Sequence, residues 1–146
     1  MPYATPPFVP PMPLETFNSC VAEAEQKYQV PACILHAVHE VESSGDLAPG
    51  LVRNNTNGTQ DFGVTQINTV WMRYFTRNFG LTPTAFANNA CLAVNGAAYI
   101  IRYEINSSGG DFWRGVGNYH SRSPVEHARY VMNVAREAQR FGCQIR

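Results

Sequence analysis

The segment HEVESSGD, from His39 to Asp46, ends an amphipathic helix with an acidic residue on the apolar face. The preceding residues that share this face are Ile34, Leu35, Ala37, Val38 and Val41. Glu42 falls within the same stripe on a helical wheel, so its side chain is expected to point inward. Removal from water raises the pKa of a carboxyl group, which suits it to act as a general acid. A helix-end glutamate that caps backbone or pairs with an arginine is the alternative interpretation.

In the rest of the chain, helical spacing and capping residues predict a mainly α fold without internal repeats. We expect helices at 14–28, 31–43, 69–79, 89–105, 112–116 and 124–141, with a short turn at 82–83. The last helix begins at Ser123-Pro124-Val125-Glu126, a capping-box pattern. Residues 44–63 lack a helical period and form an irregular loop or short hairpin with Asn57-Gly58 at its tip.

The length of 146 residues predicts one folded domain, preceded by a proline-rich arm. Six prolines fall within residues 1–13, so this segment is expected to be extended and to add little to the fold. The expected division is an arm at 1–13 and a domain at 14–146. The arm could contact a partner, although a linker left after export is favoured.

Composition excludes several classes of partner. The formal net charge is zero and charged residues make up 15% of the chain, which argues against a nucleic-acid surface or a polybasic membrane patch. No apolar run approaches the length of a membrane span, and the N-terminus lacks the pattern of a signal peptide. The segment HAVHE contains no H-E-x-x-H motif, and no Walker loop or G-x-S-x-G is present, so neither a metal site nor a cofactor is expected.

Four cysteines are spread along the chain without a C-x-x-C pair. This spacing favours two structural disulfides over a zinc or redox site, and three pairings are possible. Disulfides indicate an oxidising compartment, so we expect a periplasmic or exported protein whose signal peptide is absent from this chain. Four free buried thiols in a cytosolic protein are the alternative interpretation.

Three segments, ILHAVHEVESSGD, NGTQDFGVTQIN and GVGNYHS, carry a resemblance to a known family. In this order they resemble the E-S, G-[LV]-x-Q-I-N and Y-N-type motifs of lytic transglycosylases in the lysozyme-like superfamily. The chain is most similar to the small stand-alone enzymes that accompany bacterial secretion, conjugation and pilus systems. The similarity spans about residues 20–134, including Tyr130 and Val134 on the final helix. It implies an α+β lysozyme-like domain in which the long loop or hairpin borders a glycan-binding groove.

The resemblance also implies a reaction and a catalytic residue. Glu42 would be the sole acid and base that cleaves the bond between N-acetylmuramic acid (MurNAc) and N-acetylglucosamine (GlcNAc) in peptidoglycan, leaving a 1,6-anhydro ring. Ser43 matches the serine that follows the catalytic glutamate. Tyr119 matches a tyrosine whose hydroxyl orients that glutamate, although an ordinary core aromatic is the alternative.

Other positions are implied to form the groove. Gln66 and Asn68 match the polar pair of its floor, but Gln66 could satisfy loop backbone and Asn68 is favoured as a helix cap. Thr65 and His120 depart from the pattern, where an apolar residue and an asparagine are usual. His120 could bind sugar, although a structural role is the safer interpretation.

The same resemblance pairs Cys20 with Cys91, and the remaining pair is then Cys33 and Cys143. Partners implied by the family are peptidoglycan glycan strands and components of a secretion, conjugation or pilus apparatus, with the chain acting as a monomer.

Two rival functions are kept open. Asp61 follows Glu42 by 19 positions, and a second carboxylate there would allow a hydrolytic muramidase. Its position before Phe62-Gly63 favours a turn in which Asp61 bonds its own backbone, and Asp46 is interpreted likewise. The second rival is a non-catalytic peptidoglycan-binding assembly factor whose arm engages a partner.

Overall fold

The structure is a computed structural model that describes residues 9–145. Its helices are α1 (Leu14–Tyr28), α2 (Ala32–Ser43), α3 (Thr69–Phe79), α4 (Pro83–Asn88), α5 (Ala90–Ser107), α6 (Phe112–His120) and α7 (Pro124–Arg140). Its strands are β1 (Val52–Asn54), β2 (Gln60–Phe62) and β3 (Ile67–Asn68). The expected mainly α fold with a short hairpin is therefore confirmed.

The central element is α5, which packs against α1, α4 and α6. Small residues on its inner side, including Ala93, Gly96 and Ala97, let neighbouring elements approach closely. A Cβ on Gly96 would lie 2.7 Å from Ile67 Cδ1, so a larger residue here would displace that side chain. Glu104 is buried on the same helix, and Arg122 donates to both of its carboxylate oxygens at 3.0 Å. This pairing satisfies the buried charge.

The three strands form one antiparallel sheet in the order β1-β2-β3. The hairpin between β1 and β2 turns at Asn57-Gly58 as expected, with the Asn55 amide donating to Thr59 O at 2.9 Å. The register sets Arg53 opposite Asp61, and Asp61 opposite Asn68 on β3. The sheet thereby gathers three polar residues at the position where α3 begins.

Side-chain caps explain four of the seven helix starts within residues 9–145. Asn68, Thr82, Asn89 and Asp111 each accept a hydrogen bond from a backbone amide two or three residues ahead. The turn expected at Thr82 is therefore the start of the short helix α4.

The capping box expected at Ser123 is wrong, because the Ser123 side chain makes no capping bond. The Ser123 amide donates instead to Ser121 Oγ at 3.0 Å, which leaves Glu126 free to face His120 and Arg129.

Helix α6 is longer than expected and ends at His120 instead of near Val116. Gly115 and Gly117 suggest a helix break in the sequence, but the close packing of α6 accounts for both. A Cβ on Gly115 would lie 2.6 Å from Ile105 Cα, and one on Gly117 would lie 2.6 Å from His127 Nδ1. The close contact of α6 with α5 and α7 therefore places Tyr119 and His120 on a helix.

Two disulfides hold the helices together, with the pairing implied by the resemblance. Cys20–Cys91 joins α1 to α5, and Cys33–Cys143 joins the start of α2 to the end of the chain. Cα–Cα distances of 5.4 and 5.6 Å are ordinary for disulfides.

Most of the arm predicted at 1–13 lies outside the described residues. Within residues 9–13 there is no helix or strand, yet Met12 is attached to the domain. Its amide donates to Leu47 O at 3.1 Å, and its side chain packs against the main core. No helix within residues 9–145 has both the length and the apolar character needed to cross a bilayer.

Candidate active site

Glu42 lies in the last turn of α2, on the side that faces the sheet and α7. The apolar stripe expected on this helix is largely buried, and Glu42 follows it at the edge of the core. Ser44 ends the helix in the left-handed conformation (φ 55°), with its amide donating to Glu40 O at 2.8 Å. The helix end thus holds a carboxyl group that is enclosed by protein while part of its side chain remains exposed.

The surroundings of Glu42 raise its pKa to about 8, and burial is the largest cause. A hydrogen bond from Tyr130 acts in the opposite direction and lowers this pKa. The charge of Asp61 raises the pKa further, while Arg53 lowers it. Glu42 is consequently protonated at neutral pH and able to donate a proton.

Tyr130 is the residue that contacts the Glu42 carboxyl. Its hydroxyl donates to Glu42 Oε2 at 3.1 Å across 88 positions of sequence. Tyr130, Val134 and Ala138 form the buried face of α7, which explains why this ring points inward. Burial, reinforced by the charge of Glu42, holds the pKa of Tyr130 well above its usual range. The phenol therefore remains a hydrogen-bond donor at any pH where the carboxyl titrates.

The hydroxyl of Tyr119 does not bond to Glu42, which corrects the expected contact. Tyr119 donates instead to the carbonyl of Thr65 at 2.5 Å. Thr65 is fully buried, and its own hydroxyl donates to Ala93 O at 2.9 Å. A buried carbonyl needs a donor, and Tyr119 supplies it. Tyr119 therefore fixes the loop before β3, and its ring packs against Tyr130 with centroids 6.4 Å apart.

Ser43 connects the end of α2 to that same loop. Its hydroxyl donates to Val64 O at 2.7 Å, and the His39 carbonyl of its own helix lies 3.2 Å away. His39 in turn donates from Nε2 to Asp46 O at 2.7 Å. Asp46 forms a local turn through a bond from the Ala48 amide, as its position after the helix predicted. These contacts immobilise the residues on both sides of Glu42.

Gln66 is buried in the loop and has a left-handed backbone (φ 55°). Its Nε2 donates to Gly63 O at 2.8 Å, which is the backbone role given as one alternative. Oε1 has no partner within the described residues although it is buried. Contact of Gln66 with substrate remains a prediction.

Asn68 and Asp61 are joined at the sheet edge. Asn68 caps α3 by accepting from the Val70 amide at 3.1 Å, as its sequence position favoured. Its Nδ2 donates to Asp61 Oδ1 at 3.0 Å. The turn favoured for Asp61 is wrong, because Asp61 lies in β2 and its carboxylate is bonded across the sheet instead of to its own backbone. The sheet thus keeps a second carboxylate near Glu42.

His120 lies at the exposed end of α6 and covers Tyr130. The two rings stack with centroids 4.7 Å apart at an interplanar angle of 11°. His120 Nε2 also lies 3.8 Å from Glu126 Oε2. This geometry gives His120 a structural contact, and its binding to sugar remains a prediction.

Tyr130 and Arg53 are the two neighbours of Glu42 to which the sequence analysis assigned no role. The inward stripe of α7 predicts that Tyr130 is buried, and the hairpin register places Arg53 beside Asp61. Within residues 9–145, no group of three or more His, Cys, Asp or Glu side chains has an arrangement suited to a metal ion.

Comparison with known proteins identifies the family of this chain. Residues 19–137 match the family described as Transglycosylase SLT domain. Protein IpgF of Shigella flexneri is 27% identical over 129 residues, which cover 86% of this chain and 82% of that protein. Invasion protein IagB of Salmonella typhimurium is 26% identical over 102 residues, which cover 70% of this chain and 61% of that protein. The chain therefore belongs to the transglycosylase SLT domain family and is a lytic transglycosylase that acts on peptidoglycan.

Proposed function

We propose that this enzyme cleaves the β-1,4 bond between MurNAc and GlcNAc with Glu42 as both the acid and the base. The observation that carries the proposal is the enclosed Glu42 carboxyl, whose pKa of about 8 keeps it protonated at neutral pH. Tyr130 bonds Oε2, while Oε1 makes no hydrogen bond within the described residues. One oxygen is thus held by protein and the other is free to face a sugar.

In the first step, Glu42 donates its proton to the glycosidic oxygen, and the bond between that oxygen and muramyl C1 breaks. The GlcNAc side leaves as an alcohol, and positive charge develops at C1. In the second step, the C6 hydroxyl of the same muramyl residue attacks C1 while the Glu42 carboxylate takes the hydroxyl proton. The products are a 1,6-anhydro end and a protonated Glu42, and no water is consumed.

The surrounding contacts support this proposal because an acid that gives and regains a proton must keep one position. Ser43 holds the helix end against Val64 O, and Tyr119 holds the carbonyl of Thr65. Tyr130 donates to the carboxylate that forms after the first step and stabilises it. We propose a positioning role for Ser43 and Tyr119, and groove contacts with substrate for Gln66, Asn68 and His120.

A second candidate is the hydrolytic muramidase in which Asp61 is the second carboxylate. The observation that favours it is the proximity of Asp61, whose charge raises the pKa of Glu42. Glycoside hydrolases commonly use two carboxyl groups, one protonated and one ionised, and Glu42 and Asp61 would be such a pair. Against it, Asp61 already accepts a hydrogen bond from Asn68.

Two substitutions separate these mechanisms on purified peptidoglycan. Glu42→Gln keeps the size of the side chain and removes its proton, so release of soluble fragments should fall by at least ~100-fold. Asp61→Asn should retain most of the activity under the single-glutamate mechanism. A loss with Asp61→Asn equal to that with Glu42→Gln, in a folded protein, would instead establish the muramidase. Equal fragment release by wild type and Glu42→Gln would remove both mechanisms.

We further propose that the enzyme acts outside the cytoplasm, in the periplasm, at an envelope-spanning apparatus. Two disulfides within the described residues support an oxidising compartment. The relative named as an invasion protein supports work alongside a secretion-type assembly, in which local cleavage of glycan would open a gap in the wall. Detection of both disulfides by non-reducing peptide mapping of protein from its native cells tests the compartment, and reduced cysteines there would contradict it.

A further inference from the structure

A row of aromatic rings lies on α3 and α5, separate from the residues that surround Glu42. We call this row the aromatic face; its members are Trp71, Tyr74, Phe79, Tyr99 and Tyr103. The ring centroid of Trp71 lies 5.3 Å from that of Tyr74 and 5.3 Å from that of Tyr103. Phe79 and Tyr103 are 55% and 51% exposed, so these rings present their surfaces to solvent. Contiguous exposed apolar patches on soluble domains often mark binding sites.

A cleft of about 740 Å³ runs beside the aromatic face, a volume in the range of small-molecule sites. Phe79 and Tyr99 form part of its wall, and Phe75 and Phe86 lie deeper. The polar side chains that line this cleft belong to Lys27, Tyr28, Asn89 and Asn95. None of the described residues that line the cleft carries a carboxylate. Its chemistry therefore suits a ligand with hydroxyl and amide groups and apolar ring faces.

The aromatic face begins next to the catalytic site. Helix α3 starts immediately after Asn68, which bonds Asp61 beside Glu42. Trp71 follows Asn68 by three positions, which is nearly one helical turn. From Trp71 to Phe79 the helix rises about 12 Å. Trp71 and Tyr119 also pack against the same small core. The start of the aromatic face and the polar pair beside Glu42 therefore lie within one helical turn of each other.

We propose that the aromatic face and its cleft bind a further stretch of β-1,4-linked GlcNAc–MurNAc glycan beyond the sugars at Glu42. The inference rests on the proposed function for its substrate class. Tyrosine and tryptophan rings pack against the apolar faces of sugars, and their polar ends meet sugar hydroxyls. The hydroxyls of Tyr74 and Tyr99 lie 2.6 Å apart at the surface and form such a polar edge. Attachment at two places on one strand raises the avidity of the enzyme for intact wall.

The test uses Glu42→Gln as the parent, so that glycan is bound without being cut. Into it we introduce the double substitution Tyr74→Ser and Tyr103→Ser, which removes two exposed rings of the aromatic face. The matched control is Phe141→Ser, because Phe141 is an exposed ring (40%) at the end of α7 that stacks on His36 instead. Binding is measured by co-sedimentation with purified sacculi. We expect about tenfold weaker half-saturation for the double variant and no change for the control.

A second measurement separates this inference from the proposed function. In the active enzyme, the double variant should keep its turnover of the shortest soluble oligosaccharide that the wild type cleaves, while its rate on sacculi falls about tenfold. Should the double variant fail to fold, a Trp113→Phe protein leaves Trp71 as the only tryptophan, since the chain has two. Titration with soluble GlcNAc oligomers should then shift the Trp71 fluorescence.

The glycan assignment would be overturned if the double variant bound sacculi as tightly as its parent. It would also be overturned if the Trp71 fluorescence did not change on addition of GlcNAc oligomers. A wild-type dimer in sedimentation equilibrium that the double variant abolishes would overturn it too, since a second copy would then be the occupant. A further outcome separates the two proposals. If neither the wild type nor any variant releases fragments, but the double variant still binds sacculi more weakly than its parent, the proposed reaction is refuted and glycan binding by the aromatic face is supported.

Discussion

The hydrogen bond from Tyr130 to Glu42 gives the most specific prediction, because it acts on one protonation state of the acid. The hydroxyl donates to Oε2 at 3.1 Å and lowers the pKa of Glu42, which burial holds at about 8. Tyr130→Phe removes the donor and leaves the ring. A hydrogen bond to a charged group is worth about 1.5–3 kcal/mol, and water entering the groove recovers part of it. A net loss of about 1.4 kcal/mol corresponds to about one pH unit.

The assay is kcat/KM for a soluble glycan as a function of pH. Under the proposed mechanism the enzyme must start with Glu42 protonated, so activity declines as pH rises through the pKa of Glu42. Since Tyr130→Phe destabilises the carboxylate, this decline should move about one pH unit higher. Burial keeps the pKa values of Tyr119 and Tyr130 well above their usual range, so neither phenol titrates within the profile.

Tyr119→Phe is the matched control, because its hydroxyl donates to Thr65 O and not to Glu42. We expect its alkaline decline to coincide with that of the wild type, even if its maximal rate is lower. An alkaline decline that stays in place in Tyr130→Phe, or that moves to lower pH, would refute the assignment of Tyr130. Equal shifts in both variants would show that the effect comes from a general change of the site.

Three further predictions concern stability. Because the pKa of Glu42 is raised from 4.5 to about 8, the carboxyl ionises in the unfolded chain but not in the folded protein between these values, so the stability of wild type falls as pH rises through this range. In urea denaturation the free energy of unfolding of Glu42→Gln should exceed that of wild type by about 3 kcal/mol at pH 7 and by almost nothing below pH 4.5. A higher stability of wild type at pH 7 would contradict the enclosed carboxyl. Replacing both Cys20 and Cys91 with serine removes a disulfide that spans 71 positions, and should lower the free energy of unfolding by about 4 kcal/mol. A decrease below ~1 kcal/mol would show that this disulfide adds little stability. Gly115→Ala should cost more than ~3 kcal/mol, because its Cβ would meet the backbone of Ile105; an unchanged unfolding midpoint would disprove that contact.

Local patterns predicted the parts of the fold that local physics determines. Helix α1 was predicted by its apolar spacing, and the hairpin tip by Asn57-Gly58. The end of α6 could not be predicted in this way, because Gly115 and Gly117 weaken an isolated helix. Both glycines are nevertheless found in α6, because a Cβ at either position would collide with α5 or α7. This packing depends on the folded structure and cannot be read from the local sequence.

The same distinction applies to the site. Glu42 could be singled out because its own helix places it on an apolar stripe. Its partner could not, because 88 positions separate Glu42 from Tyr130 and the periodicity of α7 predicts burial without naming a neighbour. Similarly, Asp61 was expected in a turn because sequence alone did not supply the strand register that sets it opposite Asn68.

The most direct test of the central claim is mass spectrometry of the soluble fragments released from purified peptidoglycan by the wild type and by Glu42→Gln. The single-glutamate mechanism predicts fragments one water lighter than hydrolytic products from the wild type, and almost none from the variant. Hydrated fragments from the wild type would contradict the single-glutamate mechanism and direct attention to Asp61 as the second carboxylate.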